Sequence, residues 1–285
     1  MTTTEAPKFK YSWEQAIELL RDDPAHQDLI FDAYLTRDLA ANAKRFAASA
    51  EFAEACKLIN RHAPDARRVM DMPGGNGIAA FAFASAGFVV TTVEPNPSES
   101  VGRGAIAASL AGAALTATIV DAWGEALPFA DGSFDVVYVR QGLHHASDPR
   151  KMLSEISRVL APGGVLLACR EHVVDDYGAS LAAFLASQVD HQLYGGENAF
   201  TLADYRAAIT GAGLAIELDL GPHDSIINAY PNTPEVMRKK ILASRPGRFL
   251  GTFLPDDVVA SIGAWHAGRR QIPGRLYSFL AVKPR

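Results

Sequence analysis

The stretch Val69–Gly87, VMDMPGGNGIAAFAFASAG, sets an acid, three glycines at positions 74, 75 and 77, and an alanine-rich apolar run in a row. The apolar residues up to Met72 read as a strand, and Ile78–Ser85 reads as a helix stopped by Gly87. Glycine can take positive φ and lets a ligand come close to the main chain. A bare loop between a strand and a helix also turns free backbone N–H groups toward a ligand. The stretch therefore opens an α/β sheet and raises a question. Its ligand is either a phosphate or something that needs bare backbone but carries no phosphate.

The rhythm on either side extends the reading. FVVTTVE, LTATIVDA, FDVVYVR, VLLACR, LAIELDL and RLYSFLAVKP are further short apolar runs, most of them alternating with helical ones. That alternation is the mark of a doubly wound, mostly parallel sheet, here of seven strands. FDVVYVR has consecutive apolar residues, as a strand buried on both faces requires. DPRKMLSEISRVLAPGG carries a cap at Asp148, Pro149 in the first turn, and a Pro-Gly-Gly stop. Residues 1–65 read as a helical N-terminal lid, with a capping box at Ser12 and Gln15. Residues 66–285 read as the main domain, with insertions at 171–200 and 221–275 that are too long for plain loops.

Composition narrows the function. Hydrophobic residues make up 48% and charged residues 21%, with a net charge of -5, so no basic stripe offers itself to nucleic acid. Cys56 and Cys169 lack metal-ligand spacing and fit a reducing, cytoplasmic setting. The N-terminus lacks the apolar core of a secretion signal. The uncharged run from Gly77 to Val93 is rich in Ala, Ser and Thr and is broken by Gly87, so it reads as a buried helix and strand and not as a membrane span.

Taken together, VMDMPGGNG, VVTTVEPNP, ATIVDAWGEALPFADGSFDVVYVRQGLHHASDP and SRVLAPGGVLLACRE resemble the class I S-adenosylmethionine-dependent methyltransferases that act on small molecules. The resemblance runs over residues 66–172 and implies a Rossmann-like methyltransferase fold with S-adenosylmethionine as cofactor. It places Asp71, Gly74, Gly75, Asn76, Gly77, Glu94, Pro95, Asp121, Ala122, Trp123, Arg140 and Gln141 at the cofactor. Outside the resemblance, Arg45 beside Phe46 on the helical lid could reach the cofactor carboxylate or simply face solvent on an amphipathic helix. Glu94 stands about 20 residues beyond Asp71, where a carboxylate can accept two ribose hydroxyls. Asp121 can accept from the adenine amino group while apolar neighbours flank the ring. Asp71 at the mouth of the loop would repel pyrophosphate and suit a sulfonium. Pro73 departs from the family pattern, since it stands at the first glycine and has no N–H to donate.

Candidate general bases are His144 and His145 after the fourth strand, with His172 and His191 further along. Neighbours in an extended segment point to opposite sides, which would put His145 near the methyl group and His144 in the fold. His172, Tyr194 and Glu197 are expected to line an acceptor pocket. His172, Asp175, Asp176, His191 and Glu197 match no compact metal-ligand spacing, so no metal is expected. The partner is then a small-molecule acceptor, with O-methylation favoured and a homodimer left open; neither nucleic acid nor membrane is expected. Other readings remain: a non-catalytic cofactor-binding protein, a same-fold enzyme with non-methyl chemistry, or an NAD(P)-dependent oxidoreductase using GNGIAA.

Overall fold

The computed structural model describes residues 9–231 and 273–285, together with Val236, Arg238, Lys239, Pro255 and Val258. The expected insertion at 221–275 lies largely outside the described residues. Four helices come first: α1 (Trp13–Asp22), α2 (Gln27–Asp32), α3 (Leu39–Ala47) and α4 (Ala50–His62). The alternating part follows as β1 (Arg68–Asp71), α5 (Ile78–Ser85), β2 (Val89–Val93), α6 (Arg103–Ala111), β3 (Thr118–Val120), β4 (Phe134–Arg140), α7 (Pro149–Val159) and β5 (Leu160–Val174). The remainder is α8 (Ala179–Ser187), α9 (Val189–Tyr194), β6 (Phe200–Thr201), α10 (Leu202–Gly211), β7 (Ala215–Leu220), α11 (Ile226–Ala229) and β8 (Arg275–Val282).

Seven strands lie in the order β3-β2-β1-β4-β5-β8-β7, and the two-residue β6 pairs with β5 off that path. Strands β1 to β5 pair in parallel, while β8 runs antiparallel to both β5 and β7. The expected seven strands are thus present, with β6 as an eighth too short to announce itself. β5 continues through Val174, so residues 171–174 belong to the sheet and not to an insertion.

Period-two alternation puts one set of strand residues on each face. Val69, Val136, Tyr138, Val165 and Leu167 join one core, under Phe46, Phe52, Ile59, Phe83 and Ile106. Met70, Val137, Val139, Leu166 and Ala168 join the other, under Met152, Leu153, Ile156, Tyr205 and Ile209. Helix α5 is buried from Ile78 through Phe83, which explains its lack of charge. Among the described residues no helix is long and apolar enough to cross a membrane. The capping box at Ser12 and Gln15 is formed, and Asp148 caps α7 through the N–H groups of Arg150 and Lys151. Parallel strands point their carboxyl ends to one edge, so the loops after β1, β2, β4 and β5 share that edge.

Candidate functional site

The glycine loop answers the opening question through its own hydrogen bonds. Gly74 N–H donates to the Val93 carbonyl and Gly77 N–H to the Gly74 carbonyl, both at 2.9 Å. Gly75 N–H donates to Glu94 Oε2 at 2.8 Å, and Pro73 has no N–H to give. With these donors consumed and a carboxylate against the loop, the site is ill suited to a phosphate. The glycines themselves serve two purposes. A Cβ at Gly74 would fall 2.2 Å from Thr92 Oγ1, and one at Gly77 would fall 2.9 Å from Ile106 Cα, so both are bare for packing. Gly75, at φ +53°, faces open space with nothing within 4 Å of a Cβ. This glycine leaves room for a ligand.

Glu94 directly follows β2, with both carboxylate oxygens engaged once. Oε2 takes the Gly75 N–H and Oε1 takes the Asn96 N–H, each at 2.8 Å. Each oxygen keeps a second acceptor direction. Burial raises its carboxyl above the usual range. Asp71 is not at the mouth of the loop, as expected, but beneath it. It is buried, accepts from Thr92 Oγ1 at 3.2 Å, and is pushed up to about 7 by desolvation. The physical reason is the strand register: Asp71 is the last residue of β1, paired with Thr92 of β2, and it accepts the Ala80 N–H of α5.

Other expected contacts are distributed differently. Asn76 spends its amide on the Tyr34 carbonyl at 2.6 Å, tying the loop to the N-terminal helices. Arg140 is committed to Glu51 of α4, at 2.7 and 3.2 Å, and to the Gln141 side chain, so its guanidinium braces α4 on β4 and is not free for a ligand. Pro95 gives its carbonyl to Arg103, whose Nη1 also reaches Asp121 at 2.9 Å. Asp121 is exposed, Ala122 packs on the core, and the Trp123 ring is 69% exposed. Arg45 stacks on Phe31 and Tyr34 and donates Nη2 to the Phe31 carbonyl, while its Nη1 is a buried donor without a partner.

The β4–β5 end holds a denser polar cluster. Leu143–His145 form a 3-10 turn and not an extended segment, so the two histidine rings do not diverge; their centroids lie 4.2 Å apart. His144 is buried, with Nδ1 2.7 Å from Glu171 Oε2. Desolvation and the neighbouring His145 hold its imidazole well below the usual histidine range. His145 is partly exposed, and its Nδ1 lies 3.0 Å from the Gly196 carbonyl. A carbonyl only accepts, so Nδ1 carries a proton, and in the neutral ring the lone pair is on Nε2. His172 places Nδ1 3.0 Å from the Gly274 carbonyl, and burial presses its imidazole down to about 3. Glu197 receives the Tyr194 hydroxyl at 2.7 Å and is raised by burial. The ring of Tyr194 packs on Trp13 of α1, closing this end from the N-terminal side.

Sequence reasoning missed Glu171, which accepts the N–H groups of Gly142 and His144 at 3.0 Å as well as the His144 ring. Its flanking residues, Arg170 and His172, gave no apolar signal that the strand continued through it. His191 and Asp175 stand away from the cluster, the first against Phe9 and the second paired with Arg275.

Comparison with known proteins bears on the same region. A family described as "Methyltransferase domain" matches residues 70–168. An uncharacterized methyltransferase from Mycobacterium avium (strain 104) is 40% identical over 99 residues, which is 35% of this chain and 37% of that protein. One from Mycobacterium leprae is 36% identical over 104 residues, covering 36% and 37%. The chain therefore spans little more than a third of the curated relatives it matches. Among solved structures, phosphoethanolamine N-methyltransferase 2 of Haemonchus contortus, in complex with S-adenosyl-L-methionine, superposes with a TM-score of 0.57 at 20% identity. That match covers 98% of this chain and 62% of the other. The [4+2]-cyclase SpnF superposes with a TM-score of 0.55 at 18% identity, covering 81% and 80%.

Proposed function

We propose that this chain, which carries a class I S-adenosylmethionine-dependent methyltransferase domain over residues 70–168, moves a methyl group to the oxygen of a small-molecule acceptor. S-adenosylmethionine, when bound, supplies an electrophilic methyl group on a sulfonium. Glu94 accepts the ribose hydroxyls on its two remaining acceptor directions. Gly75 lets the cofactor lie against the main chain, Arg45 Nη1 takes the carboxylate, and Asp121 with Trp123 attends the adenine. Tyr194, Glu197 and His172 line the acceptor side. His145 would take the acceptor's proton on Nε2 as the acceptor oxygen takes up the methyl group that the bound cofactor would supply. Positioning then supplies much of the rate.

The observation that carries this reading is the Gly75–Glu94 contact. It consumes a donor that a phosphate would need and offers a carboxylate that a ribose can use. Calorimetric titration tests it: S-adenosylhomocysteine binds the wild type, NAD(H) does not, and Glu94→Ala weakens binding by about 3 kcal/mol, two charge-assisted bonds at about 1.5 each. NADH binding without S-adenosylhomocysteine binding sinks the reading. The likeness to a cyclase supports one rival, a same-fold enzyme with other chemistry, since fold does not fix reaction. Release of S-adenosylhomocysteine with hydroxyl acceptors separates the two.

A further inference from the structure

His144, His172 and Glu197 come from three separate segments: the turn after β4, the strand β5 and the loop before β6. Each offers a ligand atom, and these atoms all lie within 4.8 Å of one another. His144 Nε2 is 3.7 Å from Glu197 Oε2, the oxygen not engaged by the Tyr194 hydroxyl. Both rings are steadied from behind. Nδ1 of His172 donates to the Gly274 carbonyl, and Nδ1 of His144 faces the Glu171 carboxylate. With Nδ1 protonated in each ring, the lone pair sits on Nε2. An imidazole whose far nitrogen is fixed by a carboxylate or carbonyl is the form in which histidine ligates metals.

Charge points the same way. Among the described residues, the ion-pair partners of Glu171 and Glu197 are histidines alone. Two buried carboxylates thus face imidazoles, and backbone or hydroxyl donors, with no permanent cation between them. A divalent ion held by Glu197 would supply the missing positive charge.

We infer that His144 Nε2, His172 Nε2 and Glu197 form a three-ligand site for one divalent transition-metal ion of the zinc type. Two imidazoles and one carboxylate leave a fourth position for water or an acceptor oxygen. Ligand atoms about 2.0–2.2 Å from an ion stand roughly 3–4 Å apart, so loading draws the set inward by about 1 Å. Magnesium and calcium, which prefer oxygen ligands throughout, fit this set poorly. The site rests on its own geometry and does not depend on the methyl-transfer reading.

The test uses the full chain, stripped with a chelator and titrated separately with Zn²⁺, Mg²⁺ and Co²⁺. The expected result is one equivalent of Zn²⁺ bound, visible ligand-field bands with Co²⁺, and no uptake of Mg²⁺. His172→Ala and Glu197→Gln each weaken Zn²⁺ by about 100-fold or more, and Glu171→Gln, one shell out, by about 10-fold. Far-UV dichroism and the affinity for S-adenosylhomocysteine show that each variant has folded. Wild type that takes up no stoichiometric Zn²⁺, or folded His172→Ala that takes it up as well as wild type, overturns the site. If S-adenosylhomocysteine still binds in that case, the cofactor reading stands and only the metal site falls.

Discussion

The two ends of the carboxyl edge are built in different ways. At the β1–β2 end the key parts are close in sequence: Asp71, Gly74, Gly75 and Gly77 within one turn of chain, and Glu94 at the next strand. Most of the work there is done by backbone, through the Gly74, Gly75 and Gly77 N–H groups. At the β4–β5 end the parts are side chains from residues 144, 145, 171, 172, 194 and 197, drawn together by the sheet and the turn that follows it. Local backbone geometry leaves a contiguous trace in a sequence. A side-chain cluster assembled across folded distance leaves only scattered polar residues.

If the β4–β5 end carries the chemistry, its loss has the largest effect. His145→Ala is expected to lower turnover by about 10²–10⁴-fold while leaving S-adenosylhomocysteine affinity nearly unchanged, measured by release of S-adenosylhomocysteine and by calorimetry. Equal losses in both would mean the two ends are not separate in function.

The next effect belongs to the buried acid at the other end. Asp71 has a folded-state value near 7, raised from 3.8 first by burial and next, against the pull of the Thr92 hydroxyl, by the nearby Glu94; the Ala80 N–H and Arg140 also pull it down. Because its folded value exceeds its unfolded one, its stabilising contribution is complete below about pH 4 and is lost as pH rises through about 7. The stability of wild type relative to Asp71→Asn should therefore fall across that window, by up to about 4 kcal/mol. Denaturant unfolding of both proteins without cofactor measures it, and a flat difference contradicts the burial argument.

The smallest effect separates two glycines that look alike in sequence. Gly75→Ala carries a backbone cost of about 1–2 kcal/mol for a left-handed residue and should weaken S-adenosylhomocysteine binding. Gly77→Ala adds a contact at 2.9 Å with Ile106 Cα, so it should lower the melting temperature further than Gly75→Ala does. The reverse order would mean that Gly77, and not Gly75, borders the ligand.

Most of the fold was legible because its signals are periodic. The strands β1, β2, β4 and β8, the all-apolar helix α5 and the capped helix α7 follow from spacing and caps alone. The strand β6 was not, since two residues carry no period. The extension of β5 through His172 and Val174 was hidden by its polar residues, which serve the cluster and not the core. Glu94 and the glycine loop were legible as a motif. The depth of Asp71, the commitment of Arg140 to Glu51, and the turn that brings the rings of His144 and His145 together all depend on partners far off in the chain.

The strand β6 has one more consequence. Phe200 and Thr201 pair with Val173 and Val174, and the segment just before them carries Tyr194 and Glu197. A two-residue clasp thus fixes the segment that carries Glu197 against the sheet. The residues between α9 and β6 and the Gly75–Glu94 contact share no hydrogen bond among the described residues, so a change in the first leaves the bonds of the second in place.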